Sequence, residues 1–524
     1  MPKHPERERS GFFCTHFFGR MFAKTPFIYW GLIPLITVPV WAAGGTYTPW
    51  QSSFPWLCLW AWCCYFITSF NKNGPEVFQK CKRIIRDPLF LLSAGFLSYL
   101  LIQHLNSGRI QIFDFELNKY SYSPPPFPKW PWSVTPPESK EMLNWFAPAL
   151  TLFLILRYSW SSLNPQILIW WVCLNGFLNA LLSFMHQAMG WEYMYNFQKF
   201  GKDVYGSFGY PNHAAIFFTL LFAIALGLFF RETLSESSER DTPSLYFSAI
   251  WTLFFFLAAN FSTSRAGILG AWLVLGFTTL SISIIAWPRI HPVQRVYGIL
   301  TLLGLIATLG TGFILFAPPA IIRELKNATV NLNIYREIDG RFFQIETAWK
   351  MWKDYPIYGV GGWGYRYFVY EYLPENEWGR LNVGKANVHN DFMQFLAEFG
   401  LIGMTLLSSI FIPMISRHLR NLFRKPHIES SLWANPLRIA CAWGLFILAL
   451  DCQFDIPLRS PAIVLHAIFM LYLLGPHPHY QTVWSPVVDW QRLQPPLVGM
   501  KNRIWGVQPE QASESIQTHR LKKG

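Results

Sequence analysis

The chain has 524 residues, of which 52% are apolar and 18% aromatic, while only 14% are charged. A soluble domain carries roughly 25% charged residues, so this composition excludes a soluble globular protein and points to one embedded in a bilayer. The formal net charge is +13, but Lys and Arg are scattered among short loops rather than gathered on one face, which argues against a nucleic-acid partner.

In chain order, the basic stretch 1–26 has no small-residue cleavage site after its first apolar run and reads as a cytoplasmic arm. Apolar runs of about the length that crosses a ~30 Å hydrocarbon core as a helix then follow. They lie near 27–43, 54–70, 88–104, 144–157, 167–187, 212–230, 244–262, 266–287, 296–317, 393–416, 436–457 and 460–475, the fourth being short. The fold class is therefore all-α: a polytopic membrane domain over 27–475 with about 12 transmembrane helices. Lys and Arg gather on the side of the N-terminus once the long loop 318–392 is set aside, which makes that side cytoplasmic.

Three hydrophilic stretches interrupt the pattern. The outer loop 105–143 holds Ser123-Pro124-Pro125-Pro126 and Pro136-Pro137, and is predicted to run as extended, polyproline-like backbone. The outer loop 318–392, between helices 9 and 10, carries Phe342, Ile345, Trp349 and Trp352 at helical spacing. That pattern predicts a structured loop with an interfacial amphipathic helix that opens at Arg341. The tail 476–524 is polar, basic at its end and assigned to the cytoplasm.

The eight cysteines form no CxxC pair and no His/Cys cluster at zinc spacing, so no metal, other cofactor or disulfide framework is expected. Gly359-Val360-Gly361-Gly362-Trp363-Gly364 matches G-x-G-x-x-G, but it follows a predicted helix and has no βαβ context. These glycines read as a tight turn that lets backbone approach a helix or a ligand.

Several polar residues fall on the outer side. Arg265 stands at the junction of the seventh and eighth segments, either as an interfacial anchor or as a guanidinium for an anionic head group. Asn212 and His213 begin the sixth segment, with Asn212 suited to an N-cap. Asp455 and Arg459 bracket the last outer turn, where a local ion pair is the simpler expectation. His389, followed by Asn390 and Asp391, sits at a helix N-terminus, where the helix dipole disfavours its charged form. It is either a capping residue or a proton acceptor. Glu398 lies inside the tenth segment and requires a partner there, a histidine or arginine of the site being a candidate.

These pieces, in their order and spacing, resemble the O-antigen ligase family of polytopic glycan ligases and polymerases. The matching stretches are Gly209-Tyr210-Pro211-Asn212-His213, Ser262-Thr263-Ser264-Arg265-Ala266-Gly267, and Arg341 followed by Trp349, Pro356 and Gly359-Val360-Gly361. They continue through Val388-His389-Asn390-Asp391-Phe392, Glu398-Phe399-Gly400-Leu401-Ile402-Gly403 and Asp455-Ile456-Pro457-Leu458, so that the resemblance covers about residues 205–460. It implies a bacterial inner-membrane glycosyltransferase whose site faces the periplasm. The donor would be a polyprenyl pyrophosphate-linked glycan, with Arg265 and Arg341 holding the pyrophosphate and His389 acting on the acceptor. Many relatives have a histidine about four residues before the position of Asp455, where this chain has Asp451. The acceptor is left open among a lipid A-core, a growing polysaccharide and a protein. A twelve-helix transporter is the competing class, but it predicts two similar halves with ionisable groups at both midplanes.

Overall fold

The computed structural model describes residues 26–70, 74–114, 119–160, 162–191, 204–234, 242–286, 333–373, 386–424 and 431–475, with isolated positions between them. The N-terminal arm up to residue 25, most of the ninth apolar segment, parts of the long loop (316–332 and 374–385) and the tail from 476 lie outside the described residues.

Helices dominate. The chain runs α1 (Ile28–Trp41), α2 (Phe54–Phe70), α3 (Gly74–Arg86) and α4 (Pro88–Leu105), then α5 (Pro136–Tyr158), α6 (Pro165–Met189), α7 (Pro211–Leu234), α8 (Thr242–Phe261) and α9 (Arg265–Ala286). After α9 come α10 (Asn333–Asp354), α11 (Asp391–Leu422), α12 (Pro436–Asp451) and α13 (Pro461–Leu473). Six of the described helices, α4, α6, α7, α8, α9 and α11, are long and apolar enough to cross a membrane.

The centre of the bundle is α7, against which α8, α9, α12 and α13 all pack. Every residue from Ala214 to Leu226 is buried. A helix that is apolar all round has no face to offer water, so the sequence of α7 is satisfied only by being surrounded.

Three expectations need correction. Residues 109–123 are not extended polyproline-like chain but an antiparallel hairpin, β1 (Arg109–Asp114) against β2 (Lys119–Ser123), with a bulge between Ile110 and Ile112. The Ile-x-Ile-Phe and Tyr-x-Tyr runs carry the β propensity, and only the prolines that follow are strand-breaking. A second, two-residue hairpin pairs Tyr193–Met194 with Gln198–Lys199. Helix α5 begins eight residues before the apolar run at 144, because Pro136 and Pro137 suit its first turn and Glu138 marks its acidic start. The amphipathic helix α10 begins at Asn333 rather than at Arg341, running on through Gly340.

The feature that positions the site is a break in α11. Gly400 has φ 58° and ψ −167°, a conformation essentially confined to glycine. The glycine turn after α10 lies across the break. Val360 N–H donates to the Ala397 carbonyl (3.0 Å) and Gly361 N–H to the Glu398 carbonyl (2.8 Å), while Leu401 and Ile402 N–H groups donate to the Pro356 and Ile357 carbonyls (2.9 and 3.1 Å). Backbone groups freed by a broken helix in an apolar setting must find partners inside the protein, and here the turn supplies them. Tyr99 of α4 locks the junction, its hydroxyl lying 2.8 Å from the carbonyls of both Tyr358 and Phe399.

The glycines are there for proximity. Gly359 has φ +66°, and a Cβ on it would stand 2.5 Å from the Ala397 carbonyl oxygen; a Cβ on Gly400 would stand 2.5 Å from the Ile357 carbonyl. Gly359→Ala should therefore destabilise the protein by about 2 kcal/mol or more, read as a lowered midpoint of thermal unfolding in detergent. An unchanged midpoint would show that the turn does not rest on this contact.

Candidate active site

One end of the bundle collects the N-termini of α7, α9 and α11 and the C-terminus of α12. Asn390 caps α11, its Oδ1 accepting from Met393 N–H at 2.9 Å while its Nδ2 donates to the Gln453 carbonyl at 3.2 Å. The cap leaves His389 just outside the helix with φ +54°. Positive φ is uncommon for a residue with a side chain. Thr263 and Trp363 share it and sit at the same end, and strained residues of this kind concentrate at working sites.

His389 does not stand alone. Its Nδ1 lies 3.3 Å from Asp455 Oδ1, across 66 residues of sequence. The Asp455 carboxylate is buried and collects three further donors: the Tyr210 hydroxyl (3.1 Å to Oδ2), Asn212 Nδ2 (2.5 Å to Oδ2) and the Ile456 N–H (2.9 Å to Oδ1). Asn212 Nδ2 also donates to the Tyr210 hydroxyl at 2.8 Å, and His213 Nε2 lies 3.1 Å from the Ile456 carbonyl. Burial pushes the Asp455 carboxyl up. The His389 hydrogen bond, the nearby His389 and His213 rings and the Asn212 amide outweigh that and hold it below the ordinary carboxylate value. Asp455 is thus an anion that can only accept, so a neutral His389 donates from Nδ1 and keeps its lone pair on Nε2. The His389 side chain is 30% exposed and that of Asp455 is 4% exposed, so the histidine is the accessible member of the pair.

Two arginines flank this pair. Arg341 of α10 lies close enough to bear electrostatically on the Tyr210 hydroxyl and on Asp451. Arg265 is the first residue of α9, after a turn in which Ser264 Oγ accepts from Gly267 N–H at 3.2 Å. Gly267 packs directly on Ala215, one turn along α7 from Asn212, which brings the start of α9 to the same end as His389.

Arg459 is the opposite case, a guanidinium with 1% exposure. Its Nη2 donates to Glu398 Oε2 at 2.7 Å and its Nε lies 3.8 Å from Asp391 Oδ1, with both carboxylates fully buried. It is also held between the rings of Trp363 (4.5 Å to the centroid) and Phe395 (4.3 Å). Gln394 donates to Glu398 Oε1 at 3.0 Å, and Leu458 N–H to Asp391 Oδ2 at 2.8 Å. The expected local pair of Asp455 with Arg459 is therefore not formed. The short helical turn Pro457–Arg459 separates them: Asp455 goes to His389, and Arg459 is the partner that Glu398 required.

Sequence reasoning named Asn212, His213, Arg265, Arg341, His389, Asn390, Asp391, Glu398, Asp455 and Arg459, and they fall into these two linked clusters. It passed over Tyr210, whose place in the Tyr-Pro-Asn-His run was its only signal. It also missed Arg366, which stacks on Trp363 with its guanidinium carbon 3.3 Å from the ring centroid, on the loop that Arg459 also touches. Among the described residues, no group of three or more His, Cys, Asp or Glu side chains is arranged as a metal would need.

The O-antigen ligase family model matches residues 249–408. The chain belongs to the O-antigen ligase family. The matched stretch contains Arg265, Arg341, His389, Asn390, Asp391 and Glu398, whereas Tyr210, Asn212, His213, Asp455 and Arg459 lie outside it. An uncharacterised protein of Haemophilus influenzae is 23% identical over 195 residues, covering 34% of this chain and 49% of that protein. The alignment thus spans about half of that relative's length. O-antigen ligase membership implies a multi-pass membrane protein, glycosyltransferase-like, of the glycan ligase and polymerase type.

Two outcomes follow from the geometry. Arg459→Met leaves Glu398 and Asp391 as uncompensated buried charges and should cost about 3–5 kcal/mol. In thermal unfolding the loss should be partly recovered by adding Glu398→Gln, and a neutral Arg459→Met would refute the network. Asp455 has a depressed folded pKa, so its stabilisation is present above the ordinary carboxylate pKa and is lost as pH falls through the lower folded value. Asp455→Asn should remove that acid-side component from a pH series of unfolding midpoints, and an unaltered series would contradict the pairing.

Proposed function

We propose that the protein transfers a glycan from a polyprenyl pyrophosphate-linked saccharide to an acceptor hydroxyl. The transfer takes place at the extracytoplasmic face of the bacterial inner membrane, which the chain crosses about twelve times. Within the family chemistry, the specific reading is ligation of O-antigen onto a lipid A-core acceptor. The observation that carries it is the His389–Asp455 pair at 3.3 Å, accessible at one end of the bundle with Arg341 within electrostatic reach of the same pocket.

A sugar hydroxyl is a weak nucleophile at neutral pH and benefits from a base within hydrogen-bonding reach. With Asp455 accepting from Nδ1, the free Nε2 of His389 takes the hydroxyl proton as the oxygen attacks the anomeric carbon. The bond from that carbon to the pyrophosphate oxygen breaks in the same step, and a single displacement inverts the anomeric centre. Negative charge grows on the departing pyrophosphate, and Arg265 and Arg341 are the guanidinium groups suited to receive it. Each such hydrogen bond contributes about 1.5–3 kcal/mol, so the chemistry requires no metal ion. The reaction suits the membrane surface, where the polyprenyl chain stays in lipid while the glycan and acceptor are in water.

The test is to supply purified protein with a defined lipid-linked oligosaccharide and, separately, a lipid A-core, a polysaccharide primer and a protein acceptor, then weigh the products. Transfer to lipid A-core is the expected outcome. Extension of the saccharide would make the protein a polymerase, transfer to the polypeptide would make it a protein O-oligosaccharyltransferase, and no transfer to any acceptor would end the glycosyltransferase reading.

In the same assay, His389→Ala and Arg265→Ala should abolish transfer while membrane abundance holds. Asp455→Asn should lower kcat by about 10²–10⁴-fold with little change in donor KM, because an amide no longer fixes the histidine tautomer. Normal turnover by His389→Ala would remove the base from the mechanism.

A further inference from the structure

Helix α3 joins two apolar helices and shares the character of neither. Of its 13 residues, Glu76 is the single acid, against Lys80, Lys82, Arg83 and Arg86. At 100° per residue, Val77, Phe78, Cys81, Ile84 and Ile85 fall on one arc, and the four basic residues on the other. Ile84 is buried against the bundle, whereas its neighbours on that arc, Phe78 and Ile85, are 74% and 60% exposed.

The position of α3 relative to a bilayer follows from its neighbours. It packs against both α2 and α4, and α4 is a candidate membrane span. Residues Tyr99 and Gln103 of α4 meet the turn below the active site, and Tyr99 lies about 17 Å along the helix axis from Pro88. Helix α3 therefore sits at the other end of α4, away from His389. Its last turn is pinned there. Asp87 caps α4 through Leu89 N–H (3.2 Å) and accepts from Arg157 Nε (3.1 Å) and the Tyr158 hydroxyl (2.9 Å) of α5. That acid is thereby engaged with Arg157 and does not offset the basic arc.

We propose that α3 is a binding site for anionic phospholipid head groups, lying in the leaflet opposite the active site with Phe78 and Ile85 among the acyl chains and Lys80, Lys82, Arg83 and Arg86 on the phosphates. The segregated arcs fix the depth of the helix, since only the head-group boundary offers apolar and anionic surroundings side by side. The charge selects the lipid: each basic residue near an anionic surface favours it by about fivefold over a neutral one. The site is separate from the glycan-transfer reading and does not depend on it.

The test uses the full chain in detergent, incubated with equal amounts of phosphatidylglycerol and phosphatidylcholine of matched acyl chains, and the lipid retained after gel filtration is counted by mass spectrometry. The protein should retain phosphatidylglycerol in excess. The variant Lys80→Gln, Lys82→Gln, Arg83→Gln, Arg86→Gln should lose that excess by about tenfold or more with an unchanged unfolding midpoint. Should that variant fail to fold, the set Lys80→Arg, Lys82→Arg, Arg83→Lys, Arg86→Lys serves instead and should keep the preference. Equal retention of both lipids by the unaltered chain would overturn the proposal. So would loss of a dimer, with lipid retention unchanged, in the glutamine variant, because that would make a second copy the occupant of the face.

Discussion

The buried guanidinium of Arg459 is the constraint on which the rest of the site depends. Removing an ion from water costs several kcal/mol even after relaxation, so Arg459 persists only because Glu398 and Asp391 meet it with geometry good enough to offset that loss. Both carboxylates belong to α11. Glu398 lies two residues before the Gly400 break, and its carbonyl is held by the glycine turn. Asp391 follows directly on the Asn390 cap and His389, and its own N–H donates to the Cys452 carbonyl at 3.0 Å. One charge thus ties the 452–460 turn to α11, and with it the separation of His389 from Asp455. A hydrophobic trio of similar volume could be as stable, but it would not fix the register between the two segments. That register is what the histidine pair requires.

The two clusters divide the work. The inner one, around Arg459, is sealed from water and sets positions. The outer one, around Asp455, is buried on the carboxylate side and open on the histidine side, an arrangement suited to a group that must pass a proton to and from a bound molecule. Arg265 and Arg341 approach the outer cluster from α9 and α10, elements that the inner network does not hold. In the proposed reaction this matters, because the base must be rigid while the arginines accommodate a lipid-linked donor that arrives from the bilayer.

Much of the helical frame was legible in hydropathy. The runs at 54–70, 88–104, 212–230 and 244–262 match described helices to within a few residues, because length and apolar content are what a spanning helix must have. The elements misread were those whose determinants are polar or local. Glu138, Lys140 and Glu141 masked the first turns of α5, and the prolines after Ser123 drew attention from the Ile and Tyr runs of the hairpin. Site residues were legible as types, not as partners. Asp455 and Arg459 are four apart and invite a local pair, yet their true partners are 66 and 61 residues away. Only tertiary packing brings them together, and a single sequence holds no trace of it. Arg366 was hidden for a different reason: it follows a glycine motif whose role is backbone approach, with no pattern that singles out the arginine stacked behind it.

The chemistry proposed for the outer cluster is a single displacement, with His389 taking the proton and no covalent glycosyl intermediate. The anomeric configuration of the product tests it most directly. Nuclear magnetic resonance of the new linkage, formed from a lipid-linked saccharide of known anomeric configuration, should show inversion at the transferred carbon. Retention, or a glycan trapped covalently on the protein, would contradict the mechanism.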